Sequence, residues 1–363
     1  MTATTTNPLR CAIIGCGRNA PGKGGAHSIG YAHGWAIGRT PGLQLVAAAD
    51  RVQQNAEDFA REFPGCTPST DYPAMLTTAR PDLVAVSAWP PVREEMVLAA
   101  LAAGARAVVI EKPMAVSLGS ARRMIAAAAE RGARLFVNHQ RRYGQPFTWW
   151  RDAVAEGRIG ELESVEVSQP FGKVMDFGPH LVDAALFALG ETRRPFRVIG
   201  ALDLSTAGDY QGLKAEQHLL ASVHFDDGVR LAIEVGNRAC RRLPVLRANG
   251  TRGFAELRLD PLAGEASVFR LAGDAGVTSP ATNEHFHHSE DGNLYFRRAY
   301  QDIEQALRTG AATRIDAAEA LRGLEIILGA YESGRQRRML EFPIAQDAFP
   351  LDLPPQPSGA VHQ

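Results

Sequence analysis

The sequence predicts two domains: a doubly wound α/β domain on a parallel sheet, then an α+β domain on a large, mostly antiparallel sheet. Three observations predict it. Short apolar runs alternate with helix-length segments up to Val137. A glycine turn, Gly15-Cys16-Gly17, follows the first apolar run. Beyond Phe196, strand-like runs succeed one another with no helix between them. A chain of 363 residues suits two domains, and 45% hydrophobic residues give each a core. The expected division is 1–139, 140–344 and a proline-rich tail, 345–363.

Composition narrows the function. A formal net charge of −1 offers no positive excess for nucleic acid or an acidic membrane surface. Cys11, Cys16, Cys66 and Cys240 have no metal-ligand spacing and read as thiols of a reducing compartment. The first residues, MTATTTNPLR, hold no apolar run of signal-peptide length, and no stretch is long and apolar enough to span a bilayer. The expectation is a cytoplasmic protein with no membrane partner.

Leu9–Ile14 reads as a strand entering the glycine turn. Glycine serves where the chain bends sharply and backbone must approach a pyrophosphate, whose charge the next helix N-terminus favours. The third glycine of GxGxxG is missing, because residue 20 is Ala, and the insertion Pro21-Gly22-Lys23-Gly24-Gly25 follows. The run Gly17 to Gly24 approaches the triphosphatase loop GxxxxGK[ST] but lacks its hydroxyl residue. A helix is expected from about Ala26 to Arg39. Leu43–Ala49 is the second strand and ends in Asp50, placed to accept from adenosine ribose hydroxyls and to repel a 2′-phosphate. Asp50 also reads as a turn residue or a helix cap before Val52–Phe63. Arg51 can meet a 2′-phosphate, so NAD is expected with NADP left open.

The rhythm continues with helix Tyr72–Ala79, strand Leu83–Ala88, the break Trp89-Pro90-Pro91 and helix Val92–Ala103. Strand Ala107–Ile110 then runs into Glu111-Lys112-Pro113, before helix Ser117–Arg131 and strand Arg134–Val137. Ligands of such sheets lie beyond the strand carboxyl ends. Gly15, Gly17, Asp50, Trp89, Pro90 and Lys112 all fall there.

In the second half, Phe147–Glu156 reads as a helix and Leu162–Val167 as a strand. His180 and Asp183, three apart, share a face at the start of a helix through Ala184–Leu189, with Asp176 just upstream. Gln217–Phe225 and Val229–Val235 flank the hairpin turn Asp226-Asp227-Gly228. Val245–Ala248, Gly253–Leu259 and Ser267–Leu271 are further strands. Helices Leu294–Leu307 and Ala317–Ser333 close the chain and are expected to pack back near the first domain.

These residues resemble the glucose-fructose oxidoreductase / inositol dehydrogenase / MocA (Gfo/Idh/MocA) family of NAD(P)-dependent oxidoreductases. The markers are GCG after the first strand, Glu111-Lys112-Pro113, His139-Gln140-Arg141-Arg142, Asp176-x-Gly178-x-His180-x-x-Asp183 and the closing helix around Ala320–Glu325. The resemblance implies a Rossmann domain followed by a sheet domain whose open face makes homodimers or homotetramers. It implies Lys112, Asp176 and His180 as catalytic residues. The expected cofactor contacts are Gly15, Gly17, Arg18, Asn19, Asp50, Arg51, Trp89, Pro90, Glu111, Lys112 and Gln140. The family commonly has Thr-Pro-Asn after the fourth strand and a His three residues on. Here those positions carry Ala88-Trp89-Pro90 and Arg93, and Val165–Val174 is short for the family.

The implied activity is hydride transfer between nicotinamide and a secondary alcohol or ketone of a sugar, cyclitol or related polyol. A neutral histidine suits removal of the hydroxyl proton near neutral pH, so His180 is the expected base. Lys112 would hydrogen-bond the reacting oxygen. Asp176 would orient the substrate or His180. Asp183 would fix the imidazole tautomer, or lie on the helix surface or at a domain interface. Two other readings keep the fold: a redox-neutral NAD-assisted glycosidase or lyase, and a non-enzymatic dinucleotide- or sugar-sensing regulator. No metal is expected. His285, His287 and His288 lack supporting ligand spacing and read as a solvated loop. Arg238, Arg241, Arg242 and Arg247 read as a solvated face, or as a site for a phosphate-bearing substrate.

Overall fold

The structure is a computed structural model that describes residues 7–17, 29–205, 208–210, 212–241, 243–260, 266–273, 276–278 and 294–353. The chain divides into two compact units. One gathers Met1–Ala115, Ser120–Gly144 and His285–Ala320; the other gathers Val116–Gly119, Gln145–Glu284 and Leu321–Gln363.

The first unit alternates β1 (Leu9–Ile14), α1 (Ile29–Gly38), β2 (Leu43–Ala49), α2 (Gln53–Glu62), β3 (Thr67–Ser69) and α3 (Tyr72–Ala79). It continues through β4 (Leu83–Val86), α4 (Pro90–Ala102), β5 (Ala107–Ile110), α5 (Leu118–Glu130) and β6 (Arg134–Val137), ending in a 3₁₀ turn at Gln140–Tyr143. The strands form one parallel sheet in the order β3-β2-β1-β4-β5-β6. Cys11, Ala12 and Ile13 are all buried, as are the four residues each of β4 and β5, because both faces of the sheet are covered. That is why these strands read as unbroken apolar runs rather than alternating ones. One covering layer is aromatic, with Tyr31 and Phe59 edge to face at 4.8 Å and Phe59 and Phe63 at 4.5 Å.

Register fixes the edge that matters. Ile14 pairs with both Ala49 and Val86, Val86 with Ile110, and Ile110 with Val137. The row therefore ends level. The next residues, Asp50, Gly15, Ser87, Glu111 and Asn138, stand side by side along one rim. The order reverses at β1, whose neighbours are β2 and β4, so a crevice opens at that switch point. A further helix, α8 (Leu294–Thr309), belongs to this unit and adds Phe296, Tyr300 and Ile303 to its core.

The second unit contains α6 (Gln145–Ala155), β7 (Leu162–Gln169), α7 (Val174–Leu189), β8 (Pro195–Asp203), β9 (Gly208–Tyr210) and β10 (Leu213–Ala215). Then come β11 (His218–Phe225), β12 (Arg230–Gly236), β13 (Val245–Gly250), β14 (Gly253–Asp260), β15 (Ala266–Gly273) and β16 (Gly276–Thr278). It closes with most of α9 (Ala317–Gln336) and with β17 (Leu340–Glu341). Nine strands form a sheet in the order β16-β15-β14-β13-β7-β12-β11-β8-β17, antiparallel except for the parallel pair β7 and β12. Alternation decides which face is covered. Val165 and Val167 of β7 are buried, as are Leu219, Ala221 and Val223 of β11 and Leu231, Ile233 and Val235 of β12.

The other face is mixed: Ile199 of β8 and Leu220 of β11 are exposed on it, and the arginine run makes ion pairs. Arg238 pairs with Asp203 at 3.0 Å, Arg241 with Glu166 at 3.3 Å and Arg247 with Glu256 at 3.2 Å. Each described arginine of the run thus has an acidic neighbour, although Glu256 is shared by Arg247, Arg258 and Arg270. Arg242 lies outside the described residues.

Two expectations need correction. The helix carrying the Asp-x-Gly-x-His motif begins at Val174, so Asp176 is inside its first turn rather than upstream. Asp50 is not the cap of α2: the capping position is Val52, with no side-chain cap. No helix among the described residues is long and apolar enough to cross a membrane.

Candidate functional site

The rim of the parallel sheet is built by close approach. Gly15 has φ +91°, a left-handed conformation that costs other residues strain, and a Cβ there would lie 3.1 Å from the amide nitrogen of Ala88. A Cβ on Gly17 would lie 2.8 Å from the side-chain amide of Asn55 and 3.2 Å from Asp50 Oδ2. The third close approach comes from Gly30 in α1, where a Cβ would stand 2.5 Å from the Gly15 carbonyl oxygen. The third glycine is therefore displaced rather than absent. It stands at 30 rather than 20, beyond the insertion, and lets the helix pack on the strand–turn corner.

Asp50 is half-buried at the end of β2. Its Oδ2 accepts from the Cys16 amide at 3.1 Å, and Oδ1 from the Val52 amide and the Asn55 side chain, both at 3.0 Å. A carboxylate offers about four acceptor positions, so capacity remains for a further donor. The side chain is held against the glycine turn by Asn55, a contact with no mark in the sequence. Arg51 is exposed beside it. Arg18 and Asn19 lie outside the described residues.

At the end of β5 the Glu111 carboxylate turns inward. Its Oε1 accepts from the Asn138 side-chain amide at 2.7 Å and from His33 Nε2 at 3.1 Å. His33 Nδ1 lies 2.7 Å from the Tyr300 hydroxyl. Burial is the largest influence on Glu111 and pushes its carboxyl up. The hydrogen bond and charge of His33, the Asn138 amide and Lys112 outweigh it together and hold the group at about 2. Glu111 is thus engaged by the core, and its successor Lys112 is half-buried at the end of β5. The Lys112–Pro113 peptide is cis. Trp89 is 55% exposed at the N-cap of α4, and Pro90 is buried at its first position. Gln140 is buried in the 3₁₀ turn. Among the described residues Ser87 Oγ, Asn138 Oδ1 and Gln140 Oε1 are buried polar atoms with no hydrogen-bond partner.

In the second unit, α7 carries Asp176, His180 and Asp183. His180 is 7% exposed and Asp183 only 3%, so Asp183 is not a surface carboxylate. Asp176 Oδ1 accepts from the Tyr210 hydroxyl at 3.1 Å. The helix start is secured by Glu216, which is fully buried. Its Oε1 accepts from the Val174 amide at 2.8 Å and its Oε2 from the Tyr331 hydroxyl at 2.5 Å. Lys173 Nζ donates to the Glu216 carbonyl at 2.5 Å. A buried carboxylate at a helix N-terminus satisfies an amide that has no partner within the helix, and it complements the dipole. Burial and Glu216 together push the Tyr331 phenol well above its usual value. Tyr210 and Glu216 escaped the sequence reading: one sits in a three-residue strand, the other stands among the polar residues Lys214, Gln217 and His218 and reads as a surface acid.

Among the described residues no group of three or more His, Cys, Asp or Glu is placed to hold a metal ion. His285, His287 and His288 lie outside the described residues.

A doubly wound sheet with glycines packed at its switch point and an acid closing its second strand defines a dinucleotide-binding class. Sequence comparison agrees. The family described as "Oxidoreductase family, NAD-binding Rossmann fold" matches residues 9–139, and its "C-terminal alpha/beta domain" matches residues 151–342. The chain belongs to this Gfo/Idh/MocA oxidoreductase family. It is 30% identical over 206 residues to a D-glucoside 3-dehydrogenase of Escherichia coli, covering 52% of this chain and 56% of that protein. It is 35% identical over 156 residues to an inositol 2-dehydrogenase of Pseudomonas savastanoi, covering 42% and 43%. The chain thus matches only about half the length of these curated relatives. An oxidoreductase from Agrobacterium radiobacter, solved with NAD+, L-tartaric acid and magnesium, shares the fold with a TM-score of 0.74 and 18% identity, over 92% of this chain and 98% of that one.

The first unit fits the family's cofactor on its own geometry. Gly17 leaves a cradle beside Asp50 that a Cβ would fill, and three orphaned polar atoms stand beyond the strand ends.

Proposed function

We propose that this protein is an NAD(H)-dependent dehydrogenase or reductase acting on a secondary alcohol or ketone of a sugar, cyclitol or related polyol. The observation that carries the reading is the level rim, which sets the glycine turn, Asp50 and the Glu111-Lys112 pair on one edge of one sheet. The glucoside and inositol dehydrogenases among its relatives support the substrate class.

Gly15 and Gly17 admit the dinucleotide backbone closely, and Asp50 accepts from the adenosine ribose. Trp89, Pro90 and Gln140 border the nicotinamide half. When bound, the nicotinamide supplies the hydride acceptor. His180 takes the hydroxyl proton as the C–H hydride leaves, giving the ketone, and returns it in reverse. Lys112 hydrogen-bonds the reacting oxygen and stabilises developing alkoxide charge. Asp176, braced by Tyr210, orients the substrate or the imidazole. The open sheet face supports a homodimer or homotetramer, and reduced, buried Cys11, Cys16 and Cys66 suit the cytoplasm.

The test is a fluorescence titration with NADH and NADPH, followed by absorbance at the NADH band with inositols, glucosides and other polyols. Tight NADH binding with a substrate-dependent absorbance change is expected. Binding without any change across the panel overturns net dehydrogenation, and failure to bind either dinucleotide overturns the reading at its first step.

A further inference from the structure

Arg93 occupies the position where the sequence departs from the family's histidine, and its role follows from where its donors go. It lies in the first turn of α4 and is buried. Its Nε and Nη2 donate to the Ala88 carbonyl at 3.2 and 2.8 Å. Its Nη1 donates to the carbonyls of Glu111 and Pro113. Ala88 follows β4, and Glu111 and Pro113 follow β5, the next strand in the sheet. A guanidinium is planar and rigid, so three carbonyls held by one of them are fixed relative to each other. Two of the three flank Lys112.

The other holds on Glu111, the residue before the lysine, differ in kind. Its amide makes a long bond, 3.4 Å, to the Val86 carbonyl. Its side chain is tied to Asn138 and His33 on the core side. Arg93 supplies the hold on the carbonyl side, before and after the lysine. A lysine or histidine at 93 could not span the same set, lacking a fork of five N–H donors.

We propose that Arg93 is a positioning residue for Lys112: by clasping the carbonyls on both sides of that lysine and the end of β4, it sets the place from which the ammonium group works. The proposal rests on the reading of Lys112 as the group that meets the reacting oxygen.

The chain makes the test direct, because it has only four lysines, Lys23, Lys112, Lys173 and Lys214. Reductive methylation with ¹³C-formaldehyde gives one resonance for each, and Lys112→Arg identifies that of Lys112. In Arg93→Met the Lys112 resonance should split or broaden while those of Lys173 and Lys214 stay in place. Millimolar guanidinium should restore a single line, and potassium chloride of equal ionic strength should not. An unchanged Lys112 line in folded Arg93→Met overturns the proposal, and so does a common shift of all the lysine lines. If Arg93→Met shows no thermal transition, Arg93→Gln is read in the same way; failure of both to fold also overturns it, leaving a purely architectural arginine. The underlying reading fails separately: full turnover in Lys112→Met would remove Lys112 from the chemistry whatever the spectra of the Arg93 variants show.

Discussion

Gly30 and Gly15 touch: a Cβ on the first would stand 2.5 Å from the carbonyl oxygen of the second. Helix α1 therefore rests directly on the glycine turn. Gly30→Ala should push the helix off that turn, costing about 1–3 kcal/mol of stability and weakening NADH binding. Gly38→Ala, at the other end of the helix where a Cβ meets nothing within 4 Å, should be neutral or stabilising. Thermal melts and NADH titrations of the two variants make the comparison.

Asp50 holds the turn through the Cys16 amide and keeps acceptor capacity beyond it. Asp50→Ala should weaken NADH binding by about tenfold or more, the worth of a hydrogen bond to a charged group. NADPH should lose less, because the like charge facing its 2′-phosphate is gone. Parallel titrations with both dinucleotides give the ratio.

Glu111 ties pH to stability in a stated direction. Its carboxyl is held at about 2, below the unfolded value of about 4.3. A depressed carboxyl contributes stability that is fully present above the unfolded value and is lost as pH falls through the folded one. Denaturation measured from pH 5 to 2 should show this loss in the wild type and a shallower slope in Glu111→Gln. Glu111→Ala, which leaves His33 buried without its carboxylate, should cost about 3–5 kcal/mol.

Lys112→Met and His180→Asn should each lower turnover by about 10²–10⁴-fold, the usual worth of a positioned proton-transfer or oxyanion group. NADH should still bind both variants. Stopped-flow absorbance beside a fluorescence titration separates the two effects, and near-normal turnover in either variant would count against its assigned role.

Glu216 is a buried acid with several dependants. Glu216→Ala strands the Val174 amide and the Tyr331 hydroxyl, at about 1–3 kcal/mol for each buried group left without a partner. Tyr331→Phe, which removes a single hydroxyl, should cost less. The midpoints of urea transitions rank the two variants.

Much of this was legible in the residues. The strands of the first unit announced themselves because a sheet covered on both faces needs unbroken apolar runs, such as Leu83–Val86 and Ala107–Ile110. The place of Lys112 and Asp50 just beyond strand ends was legible because the apolar runs Leu43–Ala49 and Ala107–Ile110 stop right before them. Gly30 was not, since an insertion of unknown course hides which later glycine takes up the close approach. The contacts of Arg93, which stood out only as a departure from the family's pattern, and of Asn55, Tyr210 and Glu216 were hidden for another reason. Arg93 acts through backbone carbonyls and Tyr210 and Glu216 mainly through partners distant in sequence, while Asn55 is one of several polar residues that could face Asp50 from the next helix, and none of these leaves a distinctive local pattern. The onset of α7 was misplaced because Pro179 and Gly178 argue against a helix interior, while the buried Glu216 and Tyr331 secure its first turn.

The membership of α8 in the first unit bears on synthesis at the ribosome. His33 and Tyr300 meet at 2.7 Å although 267 positions separate them. The strands β1 to β6 leave the exit tunnel long before the helix that seals the far side of α1. A nascent chain halted after Tyr143 would expose the surface that Phe296, Tyr300 and Ile303 cover. The dinucleotide unit is therefore finished late: the surface that α8 covers has no partner from the chain until the segment after the second unit's strands has been made.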